Sequence, residues 1–271
     1  MTMNSLVTTS PDKLTLIAGP CVVESLDLLE EVAETLILVG KECNVDIVFK
    51  ASYRKANRTS LSSFASLGDD LALDYLSQIR TKFAIPVLTD IHSAEEASNV
   101  AAIADVLQIP AFLCRQTDIL IAAAKTGRYV NIKKGQFLAA GDMHKQAQKV
   151  TAQGNSNVWL TERGTTFGYH DLVVDMRGLV TMKESGFPVI FDATHSVQQP
   201  GGGEQSGGQP KFIRALSRAA IATGINGLFV ETHPHPEKAW SDSATQLPLH
   251  EFYSFVEEMT SLWHFMRNTR S

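Results

Sequence analysis

The sequence predicts an α/β fold, an eight-stranded parallel (β/α)8 barrel, on three observations. Eight short β-rich runs recur along the chain, segments with helical spacing separate them, and most of the runs are continuously apolar rather than alternating. A strand covered on both faces reads that way, and parallel sheets flanked by helices are where such strands occur. Eight repeats in a chain of 271 residues also suit the size of this barrel. An open doubly wound sheet is the rival. It would carry a Gly-rich turn after its first strand, and GPCVVES is not one.

The runs are LTLIA at 14–18, DIVFK at 46–50, PVLTD at 86–90, DVLQI at 105–109, YVNIK at 129–133, NVWLTE at 157–162, PVIFD at 188–192 and GLFVE at 227–231. After the first, Leu28, Leu29, Val32, Leu36 and Val39 share one helical face, with Gly40 placed just beyond the helix end. Ser93 and Glu96 form a capping-box pattern that opens a helix running to Ile103. Further helices are expected over 117–125, closed by Gly127, and over 146–153, 211–223 and 249–265. No linker or repeat divides the chain, so residues 1–271 are expected to form a single barrel domain with a short N-terminal lead. GGGEQSGGQP at 201–210 reads as a mobile loop.

Composition excludes several classes. Hydrophobic residues make up 44% and charged residues 20%, which argues against disorder. A net charge of −5 does not suit a nucleic-acid-coating surface. No apolar run approaches the roughly 20 residues that span a bilayer, and MTMNSLVTTSPDK lacks the pattern of a signal peptide. Three cysteines are too few and odd in number for a disulfide framework, so a reducing cytoplasm is expected.

In a (β/α)8 barrel the chemistry sits at the C-terminal strand ends. Those ends carry Cys21, Lys50 with Lys55, Asn57 and Arg58 beyond it, Asp90, Gln108 followed by Arg115, Lys133, Glu162 with Arg163, Asp192 followed by His195, and Glu231 followed by Asp242. Barrel closure makes strands seven, eight and one neighbours, so Cys21, His195, Glu231 and Asp242 can converge. A thiolate, an imidazole and two carboxylates suit one divalent metal of the Fe, Zn or Mn type. Strands two to six present Lys50, Lys55, Arg58, Lys133 and Arg163, a set able to hold a multiply charged phosphate and carboxylate ligand. Plainer readings exist for several of these. Cys21 alone is more often buried filler, His195 can be a satisfied loop histidine, and Asp90 and Asp192 can be acceptors that hold the basic side chains. His233 and His235 read as surface-loop residues, Cys43 and Cys114 as packing residues, and 201–208 is not a P-loop.

IAGPCVVES, FKASYRKANRTS, IPAFLCRQTD, VNIKKGQF, LTERGTTFGYHDLVVDMR, FDATHSVQQPGG and ETHPHPEKAWSDSATQLPL together resemble the 3-deoxy-D-manno-octulosonate 8-phosphate synthases, over residues 14–249. The resemblance implies a homotetrameric barrel that condenses phosphoenolpyruvate with D-arabinose 5-phosphate and water, releasing phosphate, for lipopolysaccharide synthesis. It implies that Lys50, Lys133 and Arg163, assisted by Lys55 and Gln108, hold phosphoenolpyruvate. Asn57, Arg58 and Thr59 would bind the sugar phosphate, with Arg115 reaching that of an adjacent subunit. Cys in the GPC motif, where metal-independent members have Asn, implies the metal-dependent class, with His195, Glu231 and Asp242 completing the site. The chain departs from the family at 63–68, which reads SFASLG where SFRGPG is usual. The sister synthases acting on erythrose 4-phosphate carry a motif like KPRTS rather than KANRTS. A metal-dependent aldolase or hydrolase on the same barrel is the further alternative.

Overall fold

A computed structural model describes residue 7 and residues 12–57, 64–200 and 207–269. Eight parallel strands close on themselves: β1 (Thr15–Gly19), β2 (Asp46–Lys50), β3 (Val87–Asp90), β4 (Val106–Ile109), β5 (Tyr129–Lys133), β6 (Val158–Glu162), β7 (Val189–Asp192) and β8 (Gly227–His233). The closure is made by β1 on β8, with Thr15 opposite Gly227 and Gly19 opposite Glu231. Helices α1 (Leu26–Glu42), α2 (Asp69–Phe83), α3 (Glu96–Ala101), α4 (Thr117–Lys125), α5 (Met143–Thr151), α6 (Met176–Lys183), α7 (Ile213–Ala222) and α8 (Phe252–Asn268) follow the strands in turn. The expected (β/α)8 barrel is therefore the observed one.

Period-two geometry sorts each strand. Ile17, Val48, Leu88, Val106, Trp159, Ile190 and Phe229 form an apolar cluster inside the barrel, separate from the larger core under the helices. Residues two apart share a face of a strand. Two positions further along, the inward side chains become Lys50, Asp90, Gln108, Thr161, Asp192 and Glu231, all buried. The barrel is thus apolar in its middle and polar at its C-terminal mouth, and six of the strands carry both layers.

The helices form as their apolar spacing directs, with differences at the ends. Ser25 caps α1, its Oγ accepting from Leu28 N at 3.2 Å. Gly40 is not the residue beyond the end: α1 runs on to Glu42, and Asn44 takes the left-handed conformation with φ 53°. Gly40 matters for space, because a Cβ there would lie 2.5 Å from Ile47 Cγ1. The Ser93–Glu96 capping box is not made either. The α3 helix begins at Glu96, and that carboxylate accepts instead from Tyr53 Oη at 2.6 Å, from His92 N at 2.7 Å and from Arg54. Helices α2 and α6 are additional to those expected. In the segment 201–210, Gly207–Gly208 pairs antiparallel with Gln198–Gln199, and 201–206 lies outside the described residues. Among the described residues, no helix is long and apolar enough to cross a membrane.

Gly19 is the tightest point of closure. Its φ is 148°, and a Cβ would meet the Lys50 carbonyl oxygen at 2.1 Å. Gly19→Ala is expected to cost about 3 kcal/mol of stability through overpacking and backbone strain, read as a lowered midpoint in denaturant unfolding.

Candidate active site

The polar mouth surrounds a cavity of about 250 Å³, lined by Lys50, Lys55, Asn57, Asp90, Gln108, Lys133, Arg163, His195 and Asp242 among others. On one side stands the predicted ligand cluster. Cys21, buried just after β1, donates its thiol to Asp242 Oδ2 at 3.1 Å. One donor atom each from Cys21, Glu231 and Asp242 lie mutually within 4.8 Å. His195 Nε2 stands 3.7 Å from a carboxylate oxygen of Glu231 and 3.7 Å from one of Asp242. The four residues do converge, across three neighbouring strands.

Each ligand candidate is aimed by a second contact. Asp192 Oδ2 lies 2.9 Å from His195 Nδ1. Assigning the ring proton to Nδ1 on the strength of that carboxylate leaves Nε2 as a lone pair toward the cluster. Cys21 N donates to Gln246 Oε1 at 3.3 Å, and Gln246 Nε2 donates to Ser241 O at 2.9 Å, so one amide ties the loop after β1 to the loop carrying Asp242. Glu24 accepts from Trp240 N at 3.0 Å and stands 3.5 Å from His233 Nε2. His233 is therefore not a surface-loop residue: it ends β8, buried, with only His235 exposed.

The cluster fits a cation by its chemistry. Glu231 Oε2 is buried without a hydrogen-bond partner among the described residues. Burial, with Asp242 and Glu231 nearby, pushes the Cys21 thiol well above its usual range. Burial would raise Asp242 too, but Lys55, with the hydrogen bond from Cys21, holds it down at about 2. A protonated thiol beside ionised carboxylates is a set whose remaining proton a divalent cation displaces.

The cations occupy the remainder of the mouth. Lys50 Nζ donates to Glu231 Oε1 at 2.5 Å and to Cys21 O at 2.8 Å. Burial alone would depress this ammonium, yet Glu231 overrides it and raises the pKa. Lys133 Nζ pairs with Asp192 at 2.7 Å and stands 3.9 Å from the centroid of the Phe229 ring. Here burial prevails over Asp192, and the pKa falls. Lys55 Nζ is 3.7 Å from Asp242. Arg163 Nη2 donates to Gln198 at 3.1 Å, whereas its buried Nη1 has no hydrogen-bond partner among the described residues. Asp192 thus serves as an acceptor for a basic side chain.

Some expectations are placed elsewhere. Arg58 and Thr59 lie outside the described residues. Arg115 is exposed and does not line the cavity. The departing segment is anchored all the same: Phe64 packs on Trp240 with ring centroids 4.7 Å apart, Ala65 O accepts from Lys55 N at 2.8 Å, and Ser66 Oγ donates to Tyr53 O at 2.9 Å. Residues missed from sequence include His92 and Gln198 on the cavity wall. His92 continues the inward parity of Asp90 and was findable by it; Gln198 offers no local signal. Lys134 was also missed. Its buried ammonium donates to Gly164 O at 3.1 Å and stands 3.4 Å from Glu162, joining the loops that follow β5 and β6.

Fold and site first define a class: a (β/α)8 enzyme whose mouth couples a thiol–imidazole–carboxylate cluster to a cradle of buried cations. Residues 3–265 match the DAHP synthetase I family, and the chain belongs to that family. It is 53% identical over 250 residues to the 2-dehydro-3-deoxyphosphooctonate aldolase of Trichlorobacter lovleyi, with 92% of each chain covered. To the protein of the same name from Bartonella bacilliformis it is 47% identical over 267 residues, covering 98% of this chain and 95% of the relative. The namesake from Rhodopseudomonas palustris is 53% identical over 248 residues, covering 91% and 86%.

Proposed function

We propose that this chain is a 3-deoxy-8-phosphooctulonate synthase, condensing phosphoenolpyruvate with D-arabinose 5-phosphate and water to give 3-deoxy-D-manno-octulosonate 8-phosphate and phosphate. The observation that carries the reading is the meeting of Lys50, Lys133 and Arg163 on one cavity with His195 and Asp242, against which Cys21 and Glu231 lie buried. The names of the relatives point to the same product.

In the reaction, C3 of phosphoenolpyruvate bonds to the aldehyde carbon, and the aldehyde oxygen takes a proton. Water adds at C2, and cleavage of the C2–O bond expels phosphate and leaves the 2-keto group. Lys133 and Arg163, with Lys50, hold the phosphoenolpyruvate carboxylate and phosphate, assisted by Lys55 and Gln108. Asn57, Arg58 and Thr59 take the sugar phosphate. Two anions that repel in water are thereby held side by side, a gain of proximity and electrostatics. Cys21, His195, Glu231 and Asp242 hold one divalent ion of the Fe, Zn or Mn type, which when bound supplies Lewis-acid polarisation or an activated water. Lys50, Lys133, His195 and Asp242 stand where cradle and cluster meet, and they are the catalytic set.

Self-association into a homotetramer belongs to the same reading. Phe112, Phe137, Phe167 and Tyr169 are each more than half exposed, on the adjacent loops after β4, β5 and β6. Apolar surface concentrated on one part of a rim marks an interaction site. Arg115, on the loop after β4 that also carries Phe112, would reach the sugar phosphate of an adjacent subunit. The assignment to the cytoplasm accords with three cysteines that are all free.

Phosphate release is expected with phosphoenolpyruvate and arabinose 5-phosphate, to be slower with erythrose 4-phosphate, and to stop on chelation. Preference for erythrose 4-phosphate would overturn the substrate, and full activity after chelation the metal. Cys21→Asn is expected to lower bound metal, measured by elemental analysis, while the thermal unfolding midpoint stays near wild type. Sedimentation equilibrium is expected to give the mass of four chains, and Arg115→Ala to raise the KM for the sugar phosphate about tenfold.

A further inference from the structure

Asn131 on β5 and Thr161 on β6 are fully buried inside the barrel, and neither lines the cavity. Their side chains nevertheless connect to it. Thr161 Oγ1 donates to Asn131 Oδ1 at 2.6 Å, Asn131 Nδ2 donates to Gln108 Oε1 at 3.0 Å, and Gln108 Nε2 donates to Asp90 Oδ1. Ser52 Oγ donates to the other oxygen of Asp90 at 2.5 Å. The line crosses four consecutive strands, and every member is buried.

Its direction is dictated from one end. Burial disfavours the charge on Asp90, but Lys50, His92 and Lys55 outweigh burial and hold the carboxyl well below its usual range. An ionised carboxylate only accepts. Gln108 must therefore turn its NH2 to Asp90 and its carbonyl to Asn131. Asn131 must then give its NH2 to Gln108 and receive a hydroxyl on Oδ1, which Thr161 supplies. A glutamine amide is nearly symmetric in shape, so its orientation is decided by its partners alone. Turned over, Gln108 would present a carbonyl oxygen to the cavity and repel an anion there. As held, Asp90 takes one hydrogen of Nε2 and the second remains for a ligand.

We infer that Asn131 and Thr161 are positioning residues for anion binding, fixing the Gln108 amide so that it offers the cavity a donor. The inference rests on the phosphoenolpyruvate reading above and adds two residues that touch no substrate. Deleting Asn131 removes the only hydrogen-bond donor to Gln108 Oε1 among the described residues. It leaves a buried carbonyl unsatisfied, and the amide, still held to Asp90 through Nε2, loses its second anchor and shifts from the place at which it meets the cavity.

The test is titration calorimetry of the metal-loaded enzyme with phosphoenolpyruvate alone, followed by steady-state kinetics with both substrates. Asn131→Leu is expected to raise the phosphoenolpyruvate Kd about tenfold, the scale of one hydrogen bond to a charged group. Thr161→Val is expected to raise it about threefold and Thr161→Ser to restore it, with the KM of the aldose within twofold of wild type throughout. If Asn131→Leu does not fold, the Thr161 pair decides. Wild-type-like affinity in Thr161→Val, or an equal loss for both substrates, overturns the assignment. Wild-type enzyme that does not bind phosphoenolpyruvate overturns the parent reading and this one together.

Discussion

The Lys50 ammonium and the Glu231 carboxylate lie 2.5 Å apart at the mouth of the barrel, both buried. A buried charge without a partner costs several kcal/mol, and breaking such a pair leaves the survivor uncompensated. Everything else at the mouth is arranged around that requirement. Asp192 stands between Lys133 and His195, Asp242 between Lys55 and the Cys21 thiol, and Asp90 between Ser52 and Gln108. The cation cradle and the ligand cluster are therefore one alternating pattern of charge. Lys50 belongs to both, touching Glu231 and the Cys21 carbonyl.

This pattern is affordable because the layer beneath it is apolar. Seven inward side chains from Ile17 to Phe229 fill the middle of the barrel and anchor the strands. The Phe229 ring forms the floor on which Lys133 rests. Stability is drawn from that layer and from the core under the helices, so the mouth is free to keep strained or under-partnered groups. Asp242 adopts φ 49°, and Arg163 Nη1 and Glu231 Oε2 lack hydrogen-bond partners among the described residues. Rules of local satisfaction give way where function sits.

Much of this was legible in the chain. Eight apolar runs ending in charged or ligating side chains indicated both the barrel and the mouth, because strand period and barrel topology convert sequence position into spatial position. Cys21, His195, Glu231 and Asp242 could be grouped by closure alone. What escaped notice depended on partners. Glu96 looked like a capping residue and is a hub for Tyr53, Arg54 and His92. His233 looked like a loop residue and is buried beside Glu24. Lys134, next to Lys133 of the cradle, is the tie between two loops.

By itself, then, the sequence determined the architecture, the end of the barrel that carries chemistry, and the residue types gathered there. These follow from periodicity and composition, which are properties of short stretches. Only the tertiary structure decided who pairs with whom: Lys50 with Glu231, Cys21 with Asp242, Thr161 with Asn131 and Gln108. Those partners are separated by 23 to 221 residues along the chain. Hydrogen bonds and ion pairs are set at the scale of a few ångströms, and local sequence pattern carries no distance that fine.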